Sequence, residues 1–597
     1  MSELTNVFSD IANAIRAKAG ILGTMTPTEM SNKIATMPAP YIPPTTTYNL
    51  YAPPTSVTNI STLTNLSGYF KDGANATALA SYPSLYISRN VTNMYEMFKN
   101  SAVNCPITIA NGVTDMSEAF SRSKSFNQPL AIPDSVVNMA NTFSEAISLS
   151  CPVVLGNGVK NMFCAFKNAP ISTIRDLPPQ VEDLSFAFYG TNFNSPIHVP
   201  STVTNMTRMA SHSKYNCPLD LSAVSTSVNI GGIIEGTPFN STLKFNSALE
   251  DLQDFFKSMT EFHQDFSLPA NIKRIGWTFS QSIGINNIYF NDVVGPITFA
   301  PYCFSSIQNS NIHGDILLDS GGDSLCNFNG MFEDANNTNI FSKIQVSNVN
   351  ASNYIGLFRY AQNCTLYENI EFYPARSSNF ASLFTGTDNI NFREIHLGGT
   401  NIDYSQAFYS AKDNFPDDIY IGELGVEIGP SANMCNYYKC FNNTGYGSLS
   451  LFKNIHWLST ITHYGSALKT NSCFSFNATM PSVNVYVYNK SNSTGSFQNA
   501  FYGRRTANYQ GDASKNRVNV FTYSSNESVD YTNNYTYALD QSSGLTLTND
   551  YSFVSNEVGI RYNLNTEINV VEFSTKNQLL FNDWVNGVFT NIPAAYM

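Results

Sequence analysis

The sequence has little charge, few histidines and almost no tryptophan. Asp, Glu, Lys and Arg make up 13% of its 597 residues, and there are seven His and three Trp. The formal net charge is −12. That balance repels a phosphate backbone, and no Lys/Arg cluster overrides it, so nucleic acid is excluded as an expected partner. The ten cysteines are too few over this length to form a disulfide scaffold. Cys105, Cys151 and Cys217 each precede a proline, and they are expected to be free, small, buried hydrophobes. No run reaches the ~18 uninterrupted apolar residues of a membrane-spanning helix, so no membrane insertion is expected. Met1-Ser2-Glu3-Leu4-Thr5 shows no basic stretch leading into an apolar one. A secretory signal peptide is therefore not expected, and synthesis in a cytoplasm is.

Apolar residues are abundant, at 43% of the chain, and aromatics reach 13%. That is enough to bury a large core. The apolar residues recur. Val91-Thr92-Asn93-Met94-Tyr95-Glu96-Met97-Phe98 aligns with Val113-Thr114-Asp115-Met116-Ser117-Glu118-Ala119-Phe120. Val136 to Phe143, Val159 to Phe166 and Val181 to Phe188 follow the same pattern, with Met139, Met162 and Leu184 in the methionine position. Phe98, Phe120, Phe143, Phe166 and Phe188 are separated by 22, 23, 23 and 22 residues. A second element keeps the same step: Pro106-Ile107-Thr108-Ile109, Pro129-Leu130-Ala131-Ile132, Pro152-Val153-Val154-Leu155, Pro196-Ile197-His198-Val199 and Pro218-Leu219-Asp220-Leu221.

The proline-led runs alternate apolar and variable residues, as a strand with one buried face does. The Val-x-Asn-Met-x-x-Ala-Phe element spaces its apolar residues at three and four, which predicts a single helical turn. Neither half can bury its apolar side alone, so copies must stack. The predicted fold class is an α/β solenoid, a leucine-rich-repeat-like parallel stack of short strands and helical turns. Its repeat core is Met94, Phe98, Met116, Phe120, Met139, Phe143, Met162, Phe166, Leu184 and Phe188. The pattern continues in looser form to Ala500-Phe501, with strand candidates at Ile344-Gln345-Val346, Ile370-Glu371-Phe372, Ile395-His396-Leu397, Ile419-Tyr420-Ile421, Ile455-His456-Trp457 and Val483 to Tyr488.

These residues, with Phe126-Asn127-Gln128-Pro129-Leu130 between repeats, resemble the BspA-like leucine-rich repeats of bacterial surface proteins. The resemblance is strong over 91–221, weaker over 222–505 and absent at both ends. Such repeats occur on adhesins and surface lipoproteins and also in bacteriophage tail genes. The resemblance implies a fold and no particular ligand.

The two ends read differently. Residues 1–37 predict a helical hairpin. Leu4, Val7, Phe8, Ile11 and Ile15 form one stripe, and Thr26-Pro27-Thr28-Glu29 caps a second helix that carries Met30 and Ile34. Helices this short need a partner surface. They either cap the solenoid or dock on another protein. The Pro/Thr-rich tether over 38–56 favours docking, because a tether separates what a cap would abut. The segment Ile11 to Lys18 followed by Met25-Thr26-Pro27 also resembles the helical leader of tail- and baseplate-associated phage proteins, which implies a docking role. The solenoid is expected over 57–505. Residues 506–597 are read as a β-rich C-terminal cap or as a contact domain, in which Tyr523, Tyr531, Tyr535 and Tyr537 are candidate surface contacts.

Signs of catalysis are sparse. His198, His396 and His456 fall at the variable middle of strands and are expected to point outward, and His212, His263, His313 and His463 show no paired ligand spacing. Cys435 and Cys440 lack a second pair for zinc. Glu250, Asp251, Asp254, Glu261 and Asp265 surround His263; a glycosidase pair could hide there, but a solvated face is the expected reading. No phosphate-binding glycine loop or nucleophile elbow appears. No enzyme, metal or cofactor is expected. The expected function is a structural and binding appendage of a virion tail, a homo-oligomer held to tail or baseplate proteins by residues 1–37. It would contact a host glycan or protein through the solenoid or tip. A bacterial surface adhesin and a polysaccharide-degrading spike are the alternatives.

Overall fold

The computed structural model describes residues 63–73, 83–319, 327–347, 353–368, 370–372, 379–397 and 403–422, then shorter stretches, mostly strands, between 427 and 573. The chain divides into two units, Met1–Pro54 and Thr55–Met597. The leader residues Leu4, Val7, Phe8, Ile11, Ile15, Met30 and Ile34 lie outside the described residues, and so do Tyr531, Tyr535 and Tyr537. Tyr523 lies in the strand Val518–Ser524, and only its backbone is described.

The described part of Thr55–Met597 is a parallel β-solenoid. The sequence step of 22 or 23 residues returns the chain to the same place one rung on, so that each Val-x-Asn-Met element lies against the next. Asn93, Asp115, Asn138, Asn161, Asp183, Asn205 and Asn229 pair in parallel file. Their side chains explain why Asn or Asp stands there. Each accepts the backbone N–H two residues on, as in Tyr95 N to Asn93 Oδ1 (2.7 Å) and Phe163 N to Asn161 Oδ1 (2.9 Å), and so fixes the start of the following turn.

That turn corrects one expectation. The predicted helical turn is two tight turns in succession. Met97 N–H donates to Met94 O (3.0 Å), and Ser101 N–H to Phe98 O (3.1 Å). The alternate groups leave the rung: Glu96 N–H reaches Ser117 O, Phe98 N–H reaches Ala119 O and Asn100 N–H reaches Ser121 O. An α-helix would send the Phe98 N–H back to Met94. Here it joins two rungs instead. Each turn puts its third residue in the left-handed region, as at Glu96 (φ 53°) and Asn100 (φ 52°), and in later rungs at Phe186, Trp277 and Tyr302. Bulky residues rarely adopt that conformation, and it persists here because inter-rung hydrogen bonds over-determine it.

The core is a file of rings. Phe70, Phe98, Phe120, Phe143, Phe166 and Phe188 stack with centroids 5.0 to 5.7 Å apart. Met94, Met116, Met139, Met162 and Leu184 are fully buried beside them. Ala210 interrupts the file. The stack detours through Phe193, Tyr215, Phe239 and Phe262 and returns at Phe256. From there Phe279, Phe304, Phe332, Phe358, Phe384, Phe408 and Phe441 continue the file at 4.7 to 5.4 Å. A second buried file, Phe328, Tyr354, Phe380 and Tyr404, runs beside it.

Strands grow along the chain. Early ones form separate pairs, such as Leu85–Ile87 with Ile107–Ile109 and Leu130–Ala131 with Val153–Val154. Pro196 to Val199 forms no strand. Further on, Asp265–Ser267, Asn287–Tyr289, Asn311–His313, Asn339–Ile340, Thr365–Leu366, Asp388–Asn391 and Lys412–Asn414 make one seven-stranded parallel sheet. Ile316–Asp319, Ile344–Ser347 and Ile370–Phe372 form a second sheet. A third runs in parallel from Ile395–Leu397 through Asp418–Ile421, Asn454–Trp457, Val483–Lys490 and Val518–Ser524 to Ile568–Phe573. It ends in two antiparallel strands, Ile560–Leu564 and Tyr551–Phe553.

Two expectations about single residues need correction. Cys105, Cys151 and Cys217 are free but only half-buried, because the residue before the strand sits at the rim of the core. His456 is not outward and open. It is 7% exposed, stacked between Tyr420 and Tyr486 at 4.9 and 5.0 Å, with Nε2 2.8 Å from Asp418 Oδ1.

Candidate ligand-binding face

The seven-stranded sheet has one buried and one open face, set by alternation along each short strand. Phe266, Ile288, Ile312, Ile340, Leu366 and Ile390 point into the core. The residues on either side of them point out, and because the strands are parallel they form two columns, with a register shift between the last two strands. One column is polar: Asp265, Asn287, Asn311, Asn339, Thr365, Asn391 and Asn414. The other is aromatic: Tyr289, His313, Phe341 and Tyr367.

The polar column is tied together over two stretches, Asp265 to Asn339 and Thr365 to Asn414. Asn287 Nδ2 donates to Asp265 Oδ1 (2.7 Å), Asn311 to Asn287 Oδ1 (3.3 Å) and Asn339 to Asn311 Oδ1 (3.0 Å). Asn391 Nδ2 donates to Thr365 Oγ1 (3.3 Å), and Asn414 Nδ2 to Asn391 Oδ1 (2.5 Å). An amide has two N–H groups and an oxygen with two lone pairs. Asn339 uses one N–H in the column, and no group of the described residues takes its other N–H or its oxygen. His313 Nε2 lies 3.0 Å from Asn287 Oδ1 and joins the two columns.

The aromatic column is a continuous stack. Tyr289 and His313 are 5.1 Å apart, His313 and Phe341 4.7 Å, and Phe341 and Tyr367 4.3 Å, with interplanar angles of 23°, 3° and 14°. Unlike the core file it is open to water: Phe341 is 38% and Tyr367 46% exposed. Stacking uses the ring faces, so the column presents edges along its length. A ring's edge is its positive rim, which suits oxygen acceptors. The face carries little charge. Asp265 stands at its start, and at the far end Arg393 pairs with Glu368 (3.1 Å) beside a small groove lined by Leu366, Ile370, Phe392 and Ile395.

Charge is placed elsewhere, at the turns, and it is paired between rungs. Glu96 binds both Lys71 and Lys99, and Lys99 also binds Glu118. Hydrogen bonds to the two ammonium groups hold the Glu96 carboxyl below its ordinary range. Arg208, Glu235, Lys257 and Asp254 form a second cluster. The acidic group noted around His263 is largely neutralised the same way. Glu250 pairs with Lys273 (2.7 Å), Asp251 with Arg274 (3.2 Å) and Asp254 with Lys257 (3.4 Å). His263 is turned to Gly284 O instead. Among the described residues no three His, Cys, Asp or Glu side chains converge to hold a metal ion.

Rings at the turns need space on the next rung, and glycine provides it. A Cβ at Gly386 (φ +67°) would come within 2.6 Å of the Tyr360 ring. Gly330 makes the same allowance for Tyr302.

None of the open columns was singled out from the sequence. The signal was there in Asn287-Ile288-Tyr289, Asn311-Ile312-His313, Asn339-Ile340-Phe341 and Thr365-Leu366-Tyr367, an apolar residue flanked by an amide or hydroxyl and a ring.

Residues 49–155 and 157–271 each match the family described as Mycoplasma protein of unknown function, DUF285. The two matches together span a little over a third of the chain and end where the seven-stranded sheet begins. No curated protein and no solved structure matches the chain. The chain is therefore a solenoid repeat protein that is similar to this family over those residues, which fits a BspA-like repeat protein.

Proposed function

We propose that the chain is a binding rod that acts without catalysis and holds an extended, uncharged, hydroxyl-rich polymer, a cell-surface glycan, along the open face of the seven-stranded sheet. One observation carries this reading. The polar and aromatic columns run side by side over successive rungs, yet the core does not need them, since it is already closed by the inward residues and the buried ring files. A polar column whose Asn339 keeps an N–H and an oxygen unused suits hydroxyls laid along it. A column of ring edges beside it offers a rigid apolar border at little entropic cost. Lack of net charge on the face favours a neutral ligand over an acidic one. The neutralised acidic group near His263 supports binding in place of hydrolysis.

In this reading the rod belongs to a bacteriophage tail. Residues 1–37 mount it on tail or baseplate proteins, 38–56 tether it, and copies assemble as a homo-oligomer. The support is the likeness of the leader to those of tail-associated proteins. A second reading, an adhesin on a bacterial cell, is favoured by the family match, whose description names a Mycoplasma protein.

Two experiments test these statements. Purified full-length protein is titrated against a panel of neutral and acidic polysaccharides, with reducing ends measured in parallel. Retention of a neutral polymer without release of reducing ends is expected. Release would make the protein a depolymerising spike, and retention of acidic polymers alone would remove the sheet face as the site. Particles carrying a deletion of 1–37 are expected to lack the protein. Full occupancy would refute the docking role.

A further inference from the structure

On three rungs a threonine stands three residues after the core-file residue, and its hydroxyl has the same task in each. Thr191 donates to Phe188 O (2.7 Å) and Thr237 to Ile234 O (2.8 Å). Thr387 repeats this geometry with Phe384 O at 2.8 Å. Thr387 also has a second close neighbour: Asp413 Oδ2 lies 2.5 Å from its Oγ1. A hydroxyl has one proton. With that proton on the Phe384 carbonyl, the contact to Asp413 needs a proton from the aspartate side. Asp413 Oδ1 already accepts the Ile390 N–H (3.0 Å), so in that arrangement Oδ2 carries the proton; with Asp413 ionised, the Thr387 hydroxyl donates to Oδ2 and gives up the Phe384 carbonyl.

The surroundings agree. Asp413 is 0% exposed, in the strand Lys412–Asn414 that closes the seven-stranded sheet. No Lys or Arg of the described residues pairs with it. The titratable groups on the rungs packed against it are Asp388, Cys364 and its own neighbour Lys412. Asp388 and Lys412 are exposed, and the Asp388 charge adds to the cost of ionising Asp413. Burial pushes the Cys364 thiol up to about 11, so it stays neutral. Burial likewise pushes Asp413 up to about 7 from 3.8.

We propose that Asp413 is a built-in proton sensor: protonated, it donates to Thr387 and locks the last rung of the sheet; ionised, it loosens that rung and the end of the amide column. The link to the column is direct. The next residue, Asn414, donates to Asn391 Oδ1 and to Asn389 Oδ1 (3.2 Å). The direction follows from linkage. Below about pH 4 Asp413 is protonated in both folded and unfolded chains and costs nothing. Between 4 and 7 the unfolded chain releases its proton and the folded one does not, so stability falls as pH rises, and above 7 the loss is constant.

The test uses the full chain and the Asp413→Asn variant. Asparagine keeps both contacts, with Nδ2 donating to Thr387 and Oδ1 accepting from Ile390, and cannot ionise. Thermal unfolding from about pH 3 to 8.5 is expected to give nearly equal midpoints at the acid end and a higher midpoint for the variant at about pH 8. A difference independent of pH, or a less stable variant at pH 8, overturns the proposal. A second measurement covers the case of a variant that fails to fold. In the wild-type chain, hydrogen exchange over 384–422, corrected for its intrinsic pH dependence, is expected to speed up by about tenfold from pH 5.5 to 8 while 139–188 stays constant. Equal behaviour of the two segments also overturns it.

Discussion

The rungs from 91 to 188 and those from 265 to 414 solve the same internal problem and differ on the outside. Both stack phenylalanines at about the strand spacing of a sheet, 5.0 to 5.7 Å in the first region and 4.7 to 5.4 Å where the file continues from Phe279 in the second. The first region starts each turn with an Asn or Asp that accepts the N–H two residues on, and the second does so at Asn327, Asn379 and Asp403, with Arg274 and Phe299 in that file on its earlier rungs. In the first region, however, strands are two or three residues long and paired in isolation, and the surface is held by ion pairs such as Lys160 with Glu182. In the second the strands join into longer sheets, and the surface of the seven-stranded one is held by amide-to-amide hydrogen bonds and stacked rings. The core sets the repeat; the face is free to vary, and in the second region it carries the columns on which the proposed binding rests.

The comparison can be broken most severely in the core. Phe143→Ala and Phe358→Ala should each lower unfolding free energy by about 3–5 kcal/mol, because each leaves a cavity in a fully buried stack. Denaturant titration of the two variants checks this. If only one region shows the loss, the two cores are not equivalent.

On the surface the expected effects separate the regions. Phe341→Ala with Tyr367→Ala should weaken glycan binding by about tenfold or more, the loss of roughly 1.4 kcal/mol, with little change in Tm. Phe163→Ala, an exposed ring of the first region, should leave binding unchanged, and equilibrium binding to all three proteins compares them. Asn161→Ala should cost about 1 kcal/mol, by analogy with loss of a helix cap, because it frees the Phe163 N–H. Asn161→Asp should cost much less, since Asp serves at 115 and 183. Smallest of all, Glu182→Gln should change stability by less than ~1 kcal/mol, as both partners of that ion pair are about half exposed.

Much of the fold was legible because the core repeats. Phe98, Phe120, Phe143, Phe166 and Phe188 hold their step, since any change of rung length there would unstack the rings. The strands at 344–346, 370–372, 395–397, 419–421, 455–457 and 483–488 were legible by alternation. The turns were misread as helix for a definite reason. Apolar residues at Met94, Met97 and Phe98 are spaced as on a helix face, and successive four-residue turns give the same spacing. What distinguishes them is the left-handed backbone at Glu96 and Asn100, and no propensity marks a glutamate for that conformation. The candidate face was less legible. Its strands at 287–289, 311–313, 339–340 and 365–366 are two or three residues long, and their spacing stretches from 24 to 28 residues. His456 was placed on the correct face of its strand, but the sequence of one rung does not show that Tyr420 and Tyr486 close over it from the neighbouring rungs.

Direct titration of the full chain and of its Phe341→Ala/Tyr367→Ala form with one neutral polysaccharide is the sharpest measurement. Tight retention by the first and at least about tenfold weaker retention by the second, at equal Tm, is the predicted result. Equal affinity of the two proteins would contradict it and move the binding surface away from the seven-stranded sheet.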